Sequence, residues 1–182
     1  CSLYEILADK HEDKAEDLLF QSATLQLAFD KKAAIETYGK VYQLNGKKAS
    51  DASYNQFVLL FQAERYGDLI ALEGAITQHL PEAKAPIFHF CLGRSHYNLG
   101  QFDKAAPYLE KYLMEENDNS AQKKSAFLTL ISCAQETNDA VLFDRTLEQL
   151  IAAYPNDQES AKALLLHAQK ALQKDNVGQA VS

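Results

Sequence analysis

The segment at residues 86–119 restricts this chain to a helical fold more than any other part of the sequence. Each half of the segment repeats core-type side chains at helical spacing: Phe88, Leu92, Ser95, His96 and Leu99, then Phe102, Ala105, Leu109, Tyr112 and Leu113. Gly100 stands between the halves, where a glycine can adopt the left-handed conformation that ends a helix. The pattern predicts two helices joined by a tight turn at Gly100.

This helix pair resembles a tetratricopeptide repeat (TPR). The resemblance rests on a Leu-Gly pair and on the aromatic, small and aliphatic residues that follow it: Leu92, Gly93, His96, Gly100, Phe102, Ala105, Leu109 and Tyr112. Residues His89, His96, Tyr112 and Asn117 depart from the TPR pattern. The resemblance implies a right-handed α-solenoid and a binding role, since TPR units carry no chemistry of their own.

Similar helix pairs are predicted along almost the whole chain. Four repeats, a capping helix and a tail follow one another: 14–46, 50–81, 86–119, 124–155, then 158–173 and 176–182. The second pair includes one helix predicted over residues 66–80. Stops at Gly46, Pro81 and Pro155 bracket units close to the ~34-residue TPR length. We therefore predict one all-α domain over residues 1–175, a right-handed α-solenoid of TPR-like helix hairpins with a C-terminal capping helix.

The composition disfavours two classes of partner. Hydrophobic residues make up 47% and charged residues 24% of the 182 positions, which is typical of a globular protein. The net charge of −7 argues against a nucleic-acid partner, because a phosphate-binding surface needs clustered Lys and Arg. No apolar stretch approaches the ~20 residues that a membrane helix requires.

The first residue, Cys1, permits two interpretations of where the chain acts. A Cys at the mature N-terminus is typical of bacterial lipoproteins, which makes Cys1 a candidate lipidation site on a TPR lipoprotein of the outer membrane or periplasm. Membrane contact is then expected only through that lipid. The alternative is a truncation at Cys1, with a cytoplasmic location. Cys91 and Cys133 lie within predicted helices and are expected to be buried free thiols.

No catalytic motif accompanies the helical pattern. The sequence has no Gly-rich phosphate loop, nucleophile elbow or zinc-protease helix motif. His89 and His96 share a helix face, but they fall where the TPR pattern places core aromatics, so packing is predicted for them and not metal binding. We predict that the chain is not an enzyme and binds no metal or cofactor.

The resemblance to the TPR family also implies a concave groove, lined by the first helix of each pair. The predicted groove residues are Phe20, Tyr54, Asn55, Phe61, Phe90, Arg94, Tyr97 and Asn98. Aromatic rings can bury apolar side chains of a peptide, while Asn and Arg can hydrogen-bond its backbone or a carboxylate.

We therefore predict a non-catalytic scaffold or adaptor that binds a protein or peptide partner in this groove. With a lipid at Cys1, it would act as a membrane-anchored assembly lipoprotein. Two alternatives remain open at this point. The first is that the array is a fragment of a regulatory or enzymatic subunit. The second is that it self-associates into a homo-oligomer.

Overall fold

α-Helices form most of the chain in a computed structural model that describes residues 2–77, 80–116, 120–165 and 168. They are α1 Ser2–Lys10, α2 Ala15–Gln26, α3 Lys31–Gln43, α4 Ala49–Gln62, α5 Tyr66–Ala71, α6 Glu73–Thr77, α7 Ala85–Asn98, α8 Phe102–Glu115, α9 Ala121–Glu136 and α10 Ala140–Ala153. Residues 158–165 are also helical. They begin the predicted capping helix 158–173; most of its remainder and the tail 176–182 lie outside the described residues.

The chain divides into two compact units, Cys1–Gly100 and Gln101–Ser182. In the first unit, α1 packs on α2, α2 on α3 and α3 on α4, while α4 and α5 both contact α7. In the second unit, α8 packs on α9 and α9 on α10. The described residues include no strand, and this packing of successive helices confirms the predicted all-α class and the arrangement typical of an α-solenoid. The extent of a single domain over residues 1–175 stays a prediction.

The core of the first unit is built from the apolar stripes that the sequence pattern predicts. Phe57 of α4 and Phe88 of α7 are fully buried, and their ring centroids lie 4.9 Å apart. Leu92 and His96 of α7 are also buried. Leu99 departs from the predicted stripe, because α7 ends at Asn98 and leaves the Leu99 side chain 45% exposed in the turn.

Residues with positive φ end several of the helices. Gly100 has φ +70°, which confirms the predicted left-handed turn after α7. Asn45 and Asn138 have φ of 52° and 57° after α3 and α9. Asn tolerates this region better than most side chains do. Glu64 follows α4 with φ 56° although it is neither Gly nor Asn, so its backbone is strained.

Replacing Glu64 by Gly is expected to stabilise the protein by roughly 0.5–1 kcal/mol, because Gly has no Cβ to oppose the left-handed conformation. The turn itself should persist, since the Arg65 N–H donates to the Leu60 carbonyl at 3.0 Å whatever the side chain. Urea denaturation followed by circular dichroism measures the change. Glu64→Ala is the control, because it removes the same charge but keeps the Cβ; equal stabilisation by both variants would contradict the backbone explanation.

The second helix of the second pair departs from its prediction. Instead of one helix over residues 66–80, the structure has the short helices α5 and α6, with Leu72 between them. Gly67 and Gly74 lie within this stretch, and a Cβ at either position would meet nothing within 4 Å. Two glycines in open space lower helix propensity by about 1 kcal/mol each relative to Ala, which weakens a continuous helix here.

The structure also adds a helix before the first predicted repeat. Helix α1 ends at Lys10, ahead of the predicted start of the array at residue 14. Its Glu5 carboxylate accepts hydrogen bonds from Gln26 of α2 at 3.2 Å and Thr37 of α3 at 3.4 Å. The prediction missed α1 because the repeat pattern begins only at α2.

Polar contacts hold the start of α9 to the turn after α10 in the second unit. The Lys124 ammonium lies 2.7 Å from the Asp157 carboxylate, and the Tyr154 hydroxyl donates to the Ser120 carbonyl at 3.0 Å. Asp157 also accepts backbone N–H bonds from the first turn of the helical residues 158–165. The Lys124–Asp157 hydrogen bond is the main cause that raises the pKa of Lys124 and lowers that of Asp157. Both groups are therefore held in their charged forms.

Candidate functional site

All eight predicted groove residues lie in the first unit, on helices α2, α4 and α7. Phe20 is on α2, Tyr54, Asn55 and Phe61 are on α4, and Phe90, Arg94, Tyr97 and Asn98 are on α7. We call these eight residues with their helices the α2–α4–α7 face. Their function as a groove stays a prediction, whereas their contacts within the unit can be described directly.

Phe61 and Phe90 meet where α4 approaches α7. Their ring centroids lie 6.2 Å apart in an edge-to-face arrangement, and Phe61 makes a similar contact with Tyr66 at 6.2 Å. Phe61 is half-buried, but the Phe90 side chain is only 7% exposed. Phe90 therefore packs against the ring of Phe61 and exposes little of its own side chain to a partner.

Tyr54 lies beneath a lysine that comes from the turn before α7. The Lys84 ammonium is 4.1 Å from the centroid of the Tyr54 ring and 3.2 Å from the Asp51 carboxylate. Burial raises the pKa of Tyr54, and the negative charge that Cys91 can carry raises it further. Burial also raises the pKa of Cys91 to about 12, so the thiol stays protonated at neutral pH.

Phe20 has the same kind of neighbour on α2. The Lys48 ammonium lies 5.0 Å from the Phe20 ring centroid and 3.5 Å from the Asp17 carboxylate. The edge of the Phe20 ring also meets Tyr38, with centroids 5.5 Å apart and planes at 73°. Phe20 is half-buried, so part of its ring remains at the surface beside Lys48.

The remaining predicted residues are polar or amphipathic and less enclosed. The Arg94 guanidinium carbon lies 6.0 Å from the centroid of the Tyr97 ring, and both side chains are half-buried. Asn98 is exposed at the last residue of α7, and Asn55 is half-buried on α4. The face thus combines rings with hydrogen-bonding groups, as a peptide-binding surface requires.

The sequence interpretation missed the charged residues beside these rings. Asp17 precedes Phe20 by three positions, and Asp51 precedes Tyr54 by three, so the same spacing recurs in two first helices. That recurrence was a readable signal. The lysines were harder to find, because each reaches its ring from a turn far along the chain.

Among the described residues, no group of three or more His, Cys, Asp or Glu side chains is placed to hold a metal ion. Cys91 and Cys133 are buried free thiols, as predicted. His96 is buried, and the half-buried His89 lies with its ring centroid 5.9 Å from that of Phe88.

Comparison with known protein families shows to which family the chain belongs. A family model described as "T7SS, ESX-1 secretion system protein EccA1, N-terminal domain" matches residues 3–168. The chain belongs to the EccA1 N-terminal domain family. No curated protein and no solved structure matched the chain in the corresponding searches. In the part of the chain that the structure describes, no helix is both long and apolar enough to span a membrane.

Membership of the EccA1 N-terminal domain family corrects the sequence interpretation. The assignment to the TPR family is wrong, and so is the TPR lipoprotein suggested with it. The residues that carried the resemblance, a Leu-Gly pair and small side chains at helical spacing, indicate a helical core and do not by themselves identify a family. Cys1, the predicted lipidation site, lies outside the described residues.

Proposed function

We propose that this chain is a non-catalytic protein-binding module that serves an ESX-1-type secretion system. The family match carries the secretion context, because it covers nearly the whole chain under a description that names a secretion protein. A fold of successively packed helices supports the binding role, because such folds present long surfaces to partners. Cys91 is not placed to act as a nucleophile, since its thiol stays protonated and is 3% exposed.

The α2–α4–α7 face is the surface we assign to the partner. Its half-buried rings Tyr54 and Phe61 are fixed on one helix, and two χ angles per ring limit the entropy that binding removes. Asn55, on the same helix, adds an amide that can pair with a peptide backbone. Rigid aromatic side chains beside polar groups are the usual composition of an interface hot spot.

The test compares partner capture by three forms of the chain in extracts of its native source. The double variant Tyr54→Ser with Phe61→Ser removes both rings from the face. We expect it to capture at least about tenfold less partner, because truncating a hot-spot residue lowers the binding free energy by about 1.4 kcal/mol or more. Mass spectrometry should identify that partner as a component or substrate of the secretion system.

The control variant is Phe29→Ser, which removes an equally large side chain that is 70% exposed and lies outside the face. It should capture the partner as the unaltered chain does. Circular dichroism must show the same helicity for all three forms. Equal capture by the double variant and the unaltered chain would overturn the assignment of the face.

A second candidate is a regulatory module acting on another part of a longer secretion protein. The description of the family as an N-terminal domain favours it, since such a domain has a covalent neighbour that it could bind. Chemical crosslinking of the full-length protein in cells separates the two candidates. Crosslinks from α4 to another part of the same polypeptide favour the second candidate, and crosslinks to separate proteins favour the first.

A further inference from the structure

Two structurally equivalent sites on the α2–α4–α7 face each hold a positive charge. Each site is a carboxylate and an aromatic ring three residues apart on one helix, so that both project from the same helix face. We call them cradle one, Asp17 with Phe20 on α2, and cradle two, Asp51 with Tyr54 on α4. Lys48 occupies cradle one and Lys84 occupies cradle two. Lys48 is the N-cap residue of α4, and Lys84 is the N-cap residue of α7.

The geometry of both cradles is that of a cation site. In cradle two the Lys84 ammonium is 3.2 Å from the carboxylate and 4.1 Å from the ring centroid. In cradle one the corresponding distances for Lys48 are 3.5 Å and 5.0 Å. A ring face attracts a cation within about 6 Å, and the carboxylate adds a direct charge partner. The chain's own lysines thus show which chemistry the cradles recognise.

The bound lysines can be exchanged at little cost. The Asp17 and Asp51 side chains are 65% and 64% exposed, so water already competes for both carboxylates. Lysine–carboxylate pairs with this exposure contribute little in water. A guanidinium is a stronger occupant than an ammonium, because it donates two parallel hydrogen bonds to a carboxylate and stacks flat on a ring.

We propose that the two cradles bind arginine side chains of the protein partner, and that Lys48 and Lys84 occupy them until the partner displaces the lysines. This inference rests on the proposed function, and it adds the chemistry of the partner segment. The net charge of −7 supports it, since an acidic chain attracts a basic segment during encounter.

In α7 the position equivalent to Asp51 is Ile87, so the carboxylate of the cradle is not repeated there.

The test measures binding of a labelled short peptide, with arginine at every third position and alanine elsewhere, by fluorescence anisotropy. The first variant, Asp17→Asn with Asp51→Asn, removes both carboxylates, and we expect at least about tenfold weaker binding. The second, Lys48→Ala with Lys84→Ala, removes the internal competitors, and we expect about threefold to tenfold tighter binding. The Lys48 backbone N–H that donates to Glu16 is unchanged in this variant.

Two controls match these charge changes elsewhere on the first unit. Lys31→Ala with Lys32→Ala removes two exposed lysines of α3, and Asp9→Asn with Asp13→Asn removes two exposed carboxylates. Both controls should alter peptide affinity less than twofold, because only the general field of the protein changes. Equal effects of the control and cradle variants would show non-specific attraction and overturn the proposal.

The opposite ligand chemistry gives a different outcome. A matched peptide with glutamate in place of arginine should not bind. If it binds and the Lys48→Ala with Lys84→Ala variant abolishes that binding, the lysines are themselves the recognition groups and the proposal is overturned. Absence of binding by either peptide also overturns it. The proposed function is judged separately, because it fails if the unaltered chain captures no component or substrate of the secretion system.

Discussion

Replacing Phe57 by Ala is expected to lower the free energy of unfolding by about 3–5 kcal/mol, the usual cost of removing a phenyl ring from a core. Phe57 is completely buried on α4, and its ring lies 4.9 Å from that of Phe88 on α7. The variant loses the transfer free energy of the ring and leaves a cavity between the two helices. Urea denaturation followed by circular dichroism measures the loss.

A phenylalanine at the surface of the same unit supplies the control. Phe29 is 70% exposed, so Phe29→Ala removes the same atoms without emptying a core position. Its effect should stay within about 0.5 kcal/mol. If the two variants were equally destabilised, the loss would come from the unfolded state or from general hydrophobicity, and the placement of Phe57 in the core would be wrong.

Helix positions could be read from the sequence because their causes are local. The predicted repeat at residues 124–155 ends with α10, whose first turn is fixed by the Asp139 carboxylate accepting from the Leu142 N–H at 2.9 Å. Gly100 was predictable for the same reason, since its positive φ depends on one residue type at one position. Periodicity, caps and turn residues therefore specified most of the fold.

The break between α5 and α6 shows where local reading fails. The apolar spacing at residues 66–80 is helical, and nothing in that spacing indicates an interruption. Gly67 and Gly74 lower helix propensity on either side of the break, a weakening that tertiary packing elsewhere in a chain can compensate. The sequence alone does not show whether such compensation exists.

The candidate site was predicted in part, for a similar reason. Tyr54 and Phe61 could be placed on one helix because their spacing in the sequence sets their faces. The burial of Phe90 and the position of Lys84 over the Tyr54 ring depend on how α4 meets α7. Contacts between helices are not encoded in the spacing of either helix. The lysines of the face therefore became visible only with the structure, whereas the recurring spacing of Asp17 and Asp51 could be read from the sequence.

The family assignment carries a related lesson about repeat-like sequences. The residues at 92–112 that matched a repeat signature are mostly buried side chains and a turn glycine, as with Leu92, Ala105 and Leu109. Buried side chains at helical spacing and a glycine that ends a helix are common to many helical folds. A family is better distinguished by the whole chain, and the EccA1 N-terminal domain model extends over residues 3–168, including α1, which the repeat pattern omitted.

The second unit should respond to loss of its own core. Leu150 is completely buried on α10, and Leu150→Ala is expected to cost about 2–5 kcal/mol, depending on how far α9 and α10 close around the cavity. Hydrogen exchange followed by mass spectrometry should show faster exchange along both helices, since α9 and α10 pack on each other.

The control for Leu150 lies on the same helix. Val141 is 77% exposed at the start of α10, so Val141→Ala removes a branched side chain that contributes little to packing. Ala also has the higher helix propensity, so this variant should be unchanged or more stable by up to about 0.5 kcal/mol. If Val141→Ala accelerated exchange as much as Leu150→Ala, the buried face of α10 would be incorrectly assigned, because burial is the property that separates the two positions.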